Sequence, residues 1–169
     1  MSKSALTIVV LLLVLVAVVS GYYFFGGRNS APRVAQIVIG EKTFQVEVAS
    51  TAFERAHGLS GRNGLAEGTG MLFVFDSPSD QGFWMKDMKF PIDIIWIRGD
   101  SPSQISPGET WEGKVVGFVE NAVPEPEKAV WNLKVYYPPE PVDHVFEVNA
   151  GDVKKYGIKV GDTVSFPGT

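Results

Sequence analysis

The chain has 169 residues, with 15 Lys and Arg against 19 Asp and Glu, and no cysteine. A formal charge of −4 without a basic run lacks the electrostatic footprint that a phosphate backbone requires, so no nucleic-acid partner is expected. Without cysteine, disulfides, thiolate metal sites and a cysteine nucleophile are excluded together.

The first element is ALTIVVLLLVLVAVVSGYYFF, residues 5–25, which carries no charge and ends in an aromatic cluster. As a helix it would span about 30 Å, the thickness of a bilayer core, and Tyr22 and Tyr23 suit the interface. It is therefore expected to be a single transmembrane anchor. The competing reading is a cleaved signal peptide, since Ser20 and Gly21 follow the apolar run; the anchor is preferred because that run exceeds an h-region of about 7–15 residues and no A-x-A site follows. Residues 1–4 are then a short tail, residues 26–33 (GGRNSAPR) a linker, and residues 34–169 one β-rich domain of ordinary size. Lys3 and Arg28 with Arg33 nearly balance across the segment, and large downstream domains translocate largely regardless of charge, so the domain is expected on the extracytoplasmic face.

VAQIVIG and TFQVEVA alternate apolar and polar residues around Gly40, Glu41 and Lys42, which predicts a hairpin. STAFERAHGL switches period. Thr51 and Glu54 match a capping box, Gly58 supplies a stop, and Ala52, Phe53 and Ala56 would form an inward stripe of a short helix. A glycine-rich turn then leads into MLFVF, an apolar run of strand length. Pro91 divides FWMKDMKFPIDIIWI into strands near residues 82–88 and 92–98, because proline cannot donate to a central ladder. A Pro/Gly-rich loop over residues 99–113 precedes the strand KVVGFVEN, and a second proline-rich stretch precedes HVFEVN. A short helix over residues 152–156 and a strand at DTVSF follow. Many short strands with one or two short helices predict a mainly β fold, a compact sandwich- or barrel-like domain.

The segments GLSGR, GMLFVFD, FWMKDMKFPIDIIWI, ENAVPEPE, YYPPEPVDHVFEVNAG and GIKVGDTV occur in the order of a known family. From residue 44 to residue 166 the chain closely resembles domain-of-unknown-function family 192 of bacteria and archaea. The resemblance implies a compact β-rich, sandwich-like domain, often behind a signal sequence or anchor, and it implies no particular biochemical activity. The loop over residues 101–113 is longer than the tight connection expected of the family.

Several residues are candidates for chemistry. Ile92, Ile94 and Trp96 share one face of a strand, with Asp93, Ile95 and Ile97 on the other, so Asp93 is expected to be buried. A buried carboxylate needs a partner. The planar fork of Arg62 is the first candidate and Lys86 the second, either as a structural pair or as the lining of a pocket. Asp76, Asp87 and Asp93 are also weighed as a carboxylate set acting on a glycan. His57 and His144 are the only histidines and form no metal motif, and GLSGR lacks a nucleophile elbow, so neither metal nor cofactor is expected. Trp84 and Trp96 are expected in the core. Trp111, Trp131, Tyr136 and Tyr137 fall in Pro/Gly-rich loops and are candidate binding residues for a glycan, a peptide or an envelope protein. The leading expectation is a membrane-anchored extracytoplasmic binding or accessory module. Its rivals are a hydrolase-like enzyme using Asp93 with Lys86 or Arg62, and a structural partner of an envelope protein.

Overall fold

The computed structural model describes residues 33–99 and 110–166. The expected anchor over residues 5–25, the linker before Arg33 and most of the loop over residues 101–113 lie outside the described residues. No helix among the described residues is long and apolar enough to cross a membrane.

The alternating N-terminal segments pair as β1 (Arg33–Ile39) and β2 (Lys42–Ala49), antiparallel around the turn at Gly40 and Glu41. The switch of period produces α1 (Ala52–His57), whose capping box forms in full: the Glu54 N–H donates to the Thr51 hydroxyl, and the Thr51 N–H donates to the Glu54 carboxylate. The inward stripe does not form. Phe53 is 79% exposed and no residue of α1 is buried; the six-residue helix is held by its caps and by Arg55 rather than by an apolar face.

β3 (Thr69–Ser79) runs parallel to β2, and β4 (Phe83–Trp84), β5 (Ile92–Gly99) and β6 (Trp111–Ala122) follow. A single 3-10 turn (Val130–Asn132), β7 (Val135–Tyr136), β8 (Val142–Asn149), α2 (Asp152–Tyr156) and β9 (Thr163–Phe166) complete the chain order. Seven strands close a barrel in the order β1-β2-β3-β8-β5-β6-β9, with β9 returning to β1, so no long strand edge is left open. Of the two architectures expected, the barrel is the one formed. The first strand expected within FWMKDMK shrinks to β4, which pairs only with β7 in a separate two-stranded ribbon.

The faces of β5 follow the sequence pattern. Ile95 and Ile97 enter the barrel with Phe44, Leu72 and Phe146; Ile92, Ile94 and Trp96 pack on the outer side under Phe83, Met85, Met88 and Tyr136. The connections bearing β4 and β7 therefore form an outer layer over β3, β5 and β8. Those central strands are buried on both faces, which explains near-continuous apolar runs such as IDIIWI.

Candidate ligand-binding cleft

The candidates from the sequence do not assemble into one site. Asp93 is completely buried, as its strand face requires, and both oxygens are taken by backbone amides. Oδ1 accepts from the Asn121 N–H at 2.8 Å, and Oδ2 accepts from the Gly151 and Val153 N–H groups, each at 2.9 Å. Asp93 thus pins the start of α2 to the barrel. The expected partner Arg62 is engaged elsewhere: its fork lies on Glu47, with Nη2 2.7 Å from Oε2. That bond, and the guanidinium charge, hold the Glu47 carboxyl below its usual range against the opposing effect of burial. Lys86 pairs with its exposed neighbour Asp87 at 2.7 Å. A pocket of Arg62, Lys86 and Asp93 is not formed, because backbone donors fill both oxygens of Asp93 while Arg62 and Lys86 are paired with other carboxylates. Asp76 and Asp87 are exposed, so the carboxylate set is not brought together on a buried surface either.

The aromatic candidates divide. Trp131 and Tyr137 are 85% and 62% exposed, as expected of loop residues. Trp111 and Tyr136 are corrected from loop to core: Trp111 opens β6 and packs inside the barrel, while Tyr136 faces Phe83 across the ribbon. Trp96 is buried as expected. Trp84, expected in the core, is half exposed, because a two-residue strand paired only to β7 has one free face.

Trp84 and Tyr137 instead form the rim of a cleft of about 670 Å³. One wall is α1 and the GLSGR turn; the other is the β4–β7 ribbon; the floor is the outer face of β3 and β8. Two glycines allow this geometry. Gly58 has a positive φ and lets the turn lie against Phe73, whose ring would be 3.2 Å from a Cβ there. At Gly82 a Cβ would stand 2.5 Å from Val135 and 2.9 Å from the Tyr137 ring, so only glycine lets the ribbon close to form that rim. Phe73 and Phe75 line the floor and meet Phe83 edge-on at 5.1 and 6.3 Å between ring centroids. Arg55 stiffens the α1 wall, donating to the carbonyls of Ser50 and Val74 with its guanidinium 5.1 Å above Phe75.

Glu147 lies at the bottom. It is 5% exposed and flanked across the sheet by Met71 and Ile94; the fully enclosed polar atoms without a partner among the described residues are others, Trp96 Nε1, Trp111 Nε1, His144 Nε2 and one Asp152 oxygen, so the Glu147 carboxyl still reaches the cleft. Burial alone pushes it up to about 8, so at neutral pH it is mostly protonated and presents one donor and one acceptor to the cleft. In the sequence, HVFEVN reads only as a strand. The available signal was a glutamate between Phe146 and Val148 in a strand whose two faces are both covered.

A buried pair, Asp143 with His144, is not part of this cleft. His144 is fully buried inside the barrel, its Nδ1 2.9 Å from Asp143 Oδ1 and its ring 4.1 Å from that of Trp111. Burial raises the Asp143 carboxyl, but the bond and charge of His144 and the Gly99 N–H outweigh it and leave the group below its usual value.

The fold and site together define a small closed β-barrel carrying an aromatic-rimmed cleft on one outer face. The chain belongs to the family DUF192, Uncharacterized ACR, COG1430, whose profile matches residues 35–166. No curated protein matches it. Among solved structures, a candidate transcription regulator of Sinorhizobium meliloti 1021 is 29% identical, with a TM-score of 0.68 over 83% of this chain and 99% of that one. A protein of unknown function from Novosphingobium aromaticivorans DSM 12444 is 28% identical, with a TM-score of 0.65 over 81% and 88% of the two chains.

Proposed function

We infer that the protein is a membrane-anchored, extracytoplasmic binding or accessory module whose ligand enters the cleft between α1 and the β4–β7 ribbon. The observation that carries this reading is Glu147, a largely buried carboxyl that lines the floor of a cleft rimmed by exposed Trp84 and Tyr137. A polar group set among apolar neighbours in a cleft is where a ligand's hydrogen bond gives orientation and specificity. Exposed aromatic rings add large contact area at little entropic cost. The uncharged apolar run over residues 5–25 and the −4 charge suit a domain that works at a membrane away from nucleic acid. The regulator description of the Sinorhizobium relative is therefore not carried over. The hydrolase reading loses its residues, since Asp93, Arg62 and Lys86 are each bonded elsewhere.

Two measurements test the reading. A thermal-shift screen of the full chain in detergent micelles against glycans, peptides and small organic ions should give a stabilising ligand that Trp84→Ala weakens by tenfold or more. A ligand whose effect is unchanged by Trp84→Ala would place binding outside the cleft. With a single cysteine introduced as Glu41→Cys at the exposed hairpin turn, an impermeant thiol reagent should label intact cells; labelling only after lysis would put the domain in the cytoplasm.

A further inference from the structure

We propose that the cleft recognises an alkylammonium group, with Glu147 as its counter-ion at the floor and the rings of Trp84, Tyr137 and Phe75 around the attached chain. The proposal rests on the cleft being a ligand site and goes further by naming the ligand's chemistry. A carboxyl at the end of an aromatic-walled recess offers a cation two kinds of attraction, an ion pair in a low-dielectric site and the negative faces of the rings. An anion would find only the single O–H of the protonated carboxyl, while the Arg55 guanidinium in the wall is already committed to backbone carbonyls. A neutral sugar would need several polar partners beside the carboxyl, whereas the adjoining strands place Met71, Phe73 and Ile94 next to Glu147 and the polar Ser60 and Gln81 belong to the walls.

The fixed positive charge in the wall does not fill this role. Arg55 is held by the carbonyls of Ser50 and Val74 and lies over Phe75. Arg55 and His57 from α1, Asp80 from the β3–β4 connection and the Tyr137 phenol are the other charged or titratable groups lining the cleft; the strands beside Glu147 supply Met71 and Ile94, and the Arg62–Glu47 pair stands beyond Met71, with Glu47 on the neighbouring strand β2. Cation binding is consequently linked to ionisation of Glu147. The free protein holds the proton at neutral pH, and the bound ammonium requires the carboxylate, so the proton leaves to solvent as the complex forms.

Isothermal titration calorimetry of the full chain in detergent micelles tests this, at pH 7 in two buffers of different ionisation enthalpy. The probes are Nα-acetyl-lysine methylamide, its neutral isostere Nα-acetyl-norleucine methylamide, n-butylammonium, and the capped peptide Gly-Lys-Gly. The lysine derivative should bind at least tenfold more tightly than the norleucine one and release close to one proton per ligand. Glu147→Gln, its fold checked by near-UV circular dichroism, should abolish both the preference and the proton release, and Trp84→Ala on the exposed rim should weaken cation binding without touching the floor. n-Butylammonium binding as tightly as the peptide would support the proposal with a free amine as the source; a clear preference for the peptide would support it with a chain-borne lysine. Equal binding of the norleucine derivative, or cation binding unchanged in Glu147→Gln, would overturn the cation proposal while the cleft remains a ligand site. No binding by any of the four probes would likewise overturn the cation proposal, whereas the cleft as a ligand site falls only if the thermal-shift screen gives no ligand sensitive to Trp84→Ala.

Discussion

Replacing Asp93 with asparagine removes one of two oxygens that together accept three backbone bonds at 2.8–2.9 Å in a fully buried position. The best the amide can do is keep its oxygen on the Gly151 and Val153 N–H groups. That orientation turns its NH2 against the Asn121 N–H, leaving a buried donor facing a donor, at about 1–3 kcal/mol. The two bonds that survive lose their charge assistance, roughly 1 kcal/mol each. Asp93→Asn should therefore destabilise the protein by about 3–5 kcal/mol, a large share of the 5–15 kcal/mol typical of a domain. The loss should also be local, because those amides begin α2, which carries Val153 into the barrel core. Urea unfolding measures the total through the midpoint at constant m, and amide hydrogen exchange should show the α2 amides opening first. A loss below about 1 kcal/mol, or exchange in α2 unchanged, would refute the view of Asp93 as the pin of that helix.

Other outcomes follow from the same geometry. In a double-mutant cycle Arg62→Met should couple to Glu47→Gln by about 1 kcal/mol and be additive with Asp93→Asn within about 0.5 kcal/mol; coupling to Asp93 would restore the ion pair expected from the sequence. Glu147 binds its proton more tightly folded, near 8, than unfolded, at 4.5, so its stabilising contribution is complete below pH 4.5 and is lost as pH rises towards and through 8. Wild type should therefore lose stability relative to Glu147→Gln by up to about 1.4 kcal/mol per pH unit in that window, and parallel pH profiles would contradict the burial. Trp111→Ala should cost about 3–5 kcal/mol in thermal or urea unfolding, whereas Trp131→Ala and Tyr137→Ala should each stay within about 1 kcal/mol.

What the sequence could reveal was local. The capping box at Thr51 and Glu54, the turn at Gly40, the short helix over residues 152–156 and the two faces of β5 depend on neighbours a few positions away, and each appears where periodicity put it. The partner of Asp93 was not legible because its donors come from positions 28, 58 and 60 residues further on, and backbone amides carry no sequence signature. Trp111 was misjudged because it stands at the junction of a proline- and glycine-rich loop with a strand, where the alternation that would mark it as inward has only begun. The cleft depends on how the GLSGR turn and the β4–β7 ribbon settle over the outer face of β3 and β8. Glu147 looks like an ordinary polar position of an alternating strand until that covering layer is in place.

The most direct test follows the Glu147 carboxyl itself by carbon-13 NMR, with the resonance assigned by its disappearance in Glu147→Gln. In the free protein it should titrate near 8, and saturation with Nα-acetyl-lysine methylamide should move the midpoint downward as the carboxylate meets its counter-ion. A midpoint at the ordinary 4.5, unmoved by the ligand, would mean that Glu147 is solvated and that the cleft is not built around a waiting carboxyl.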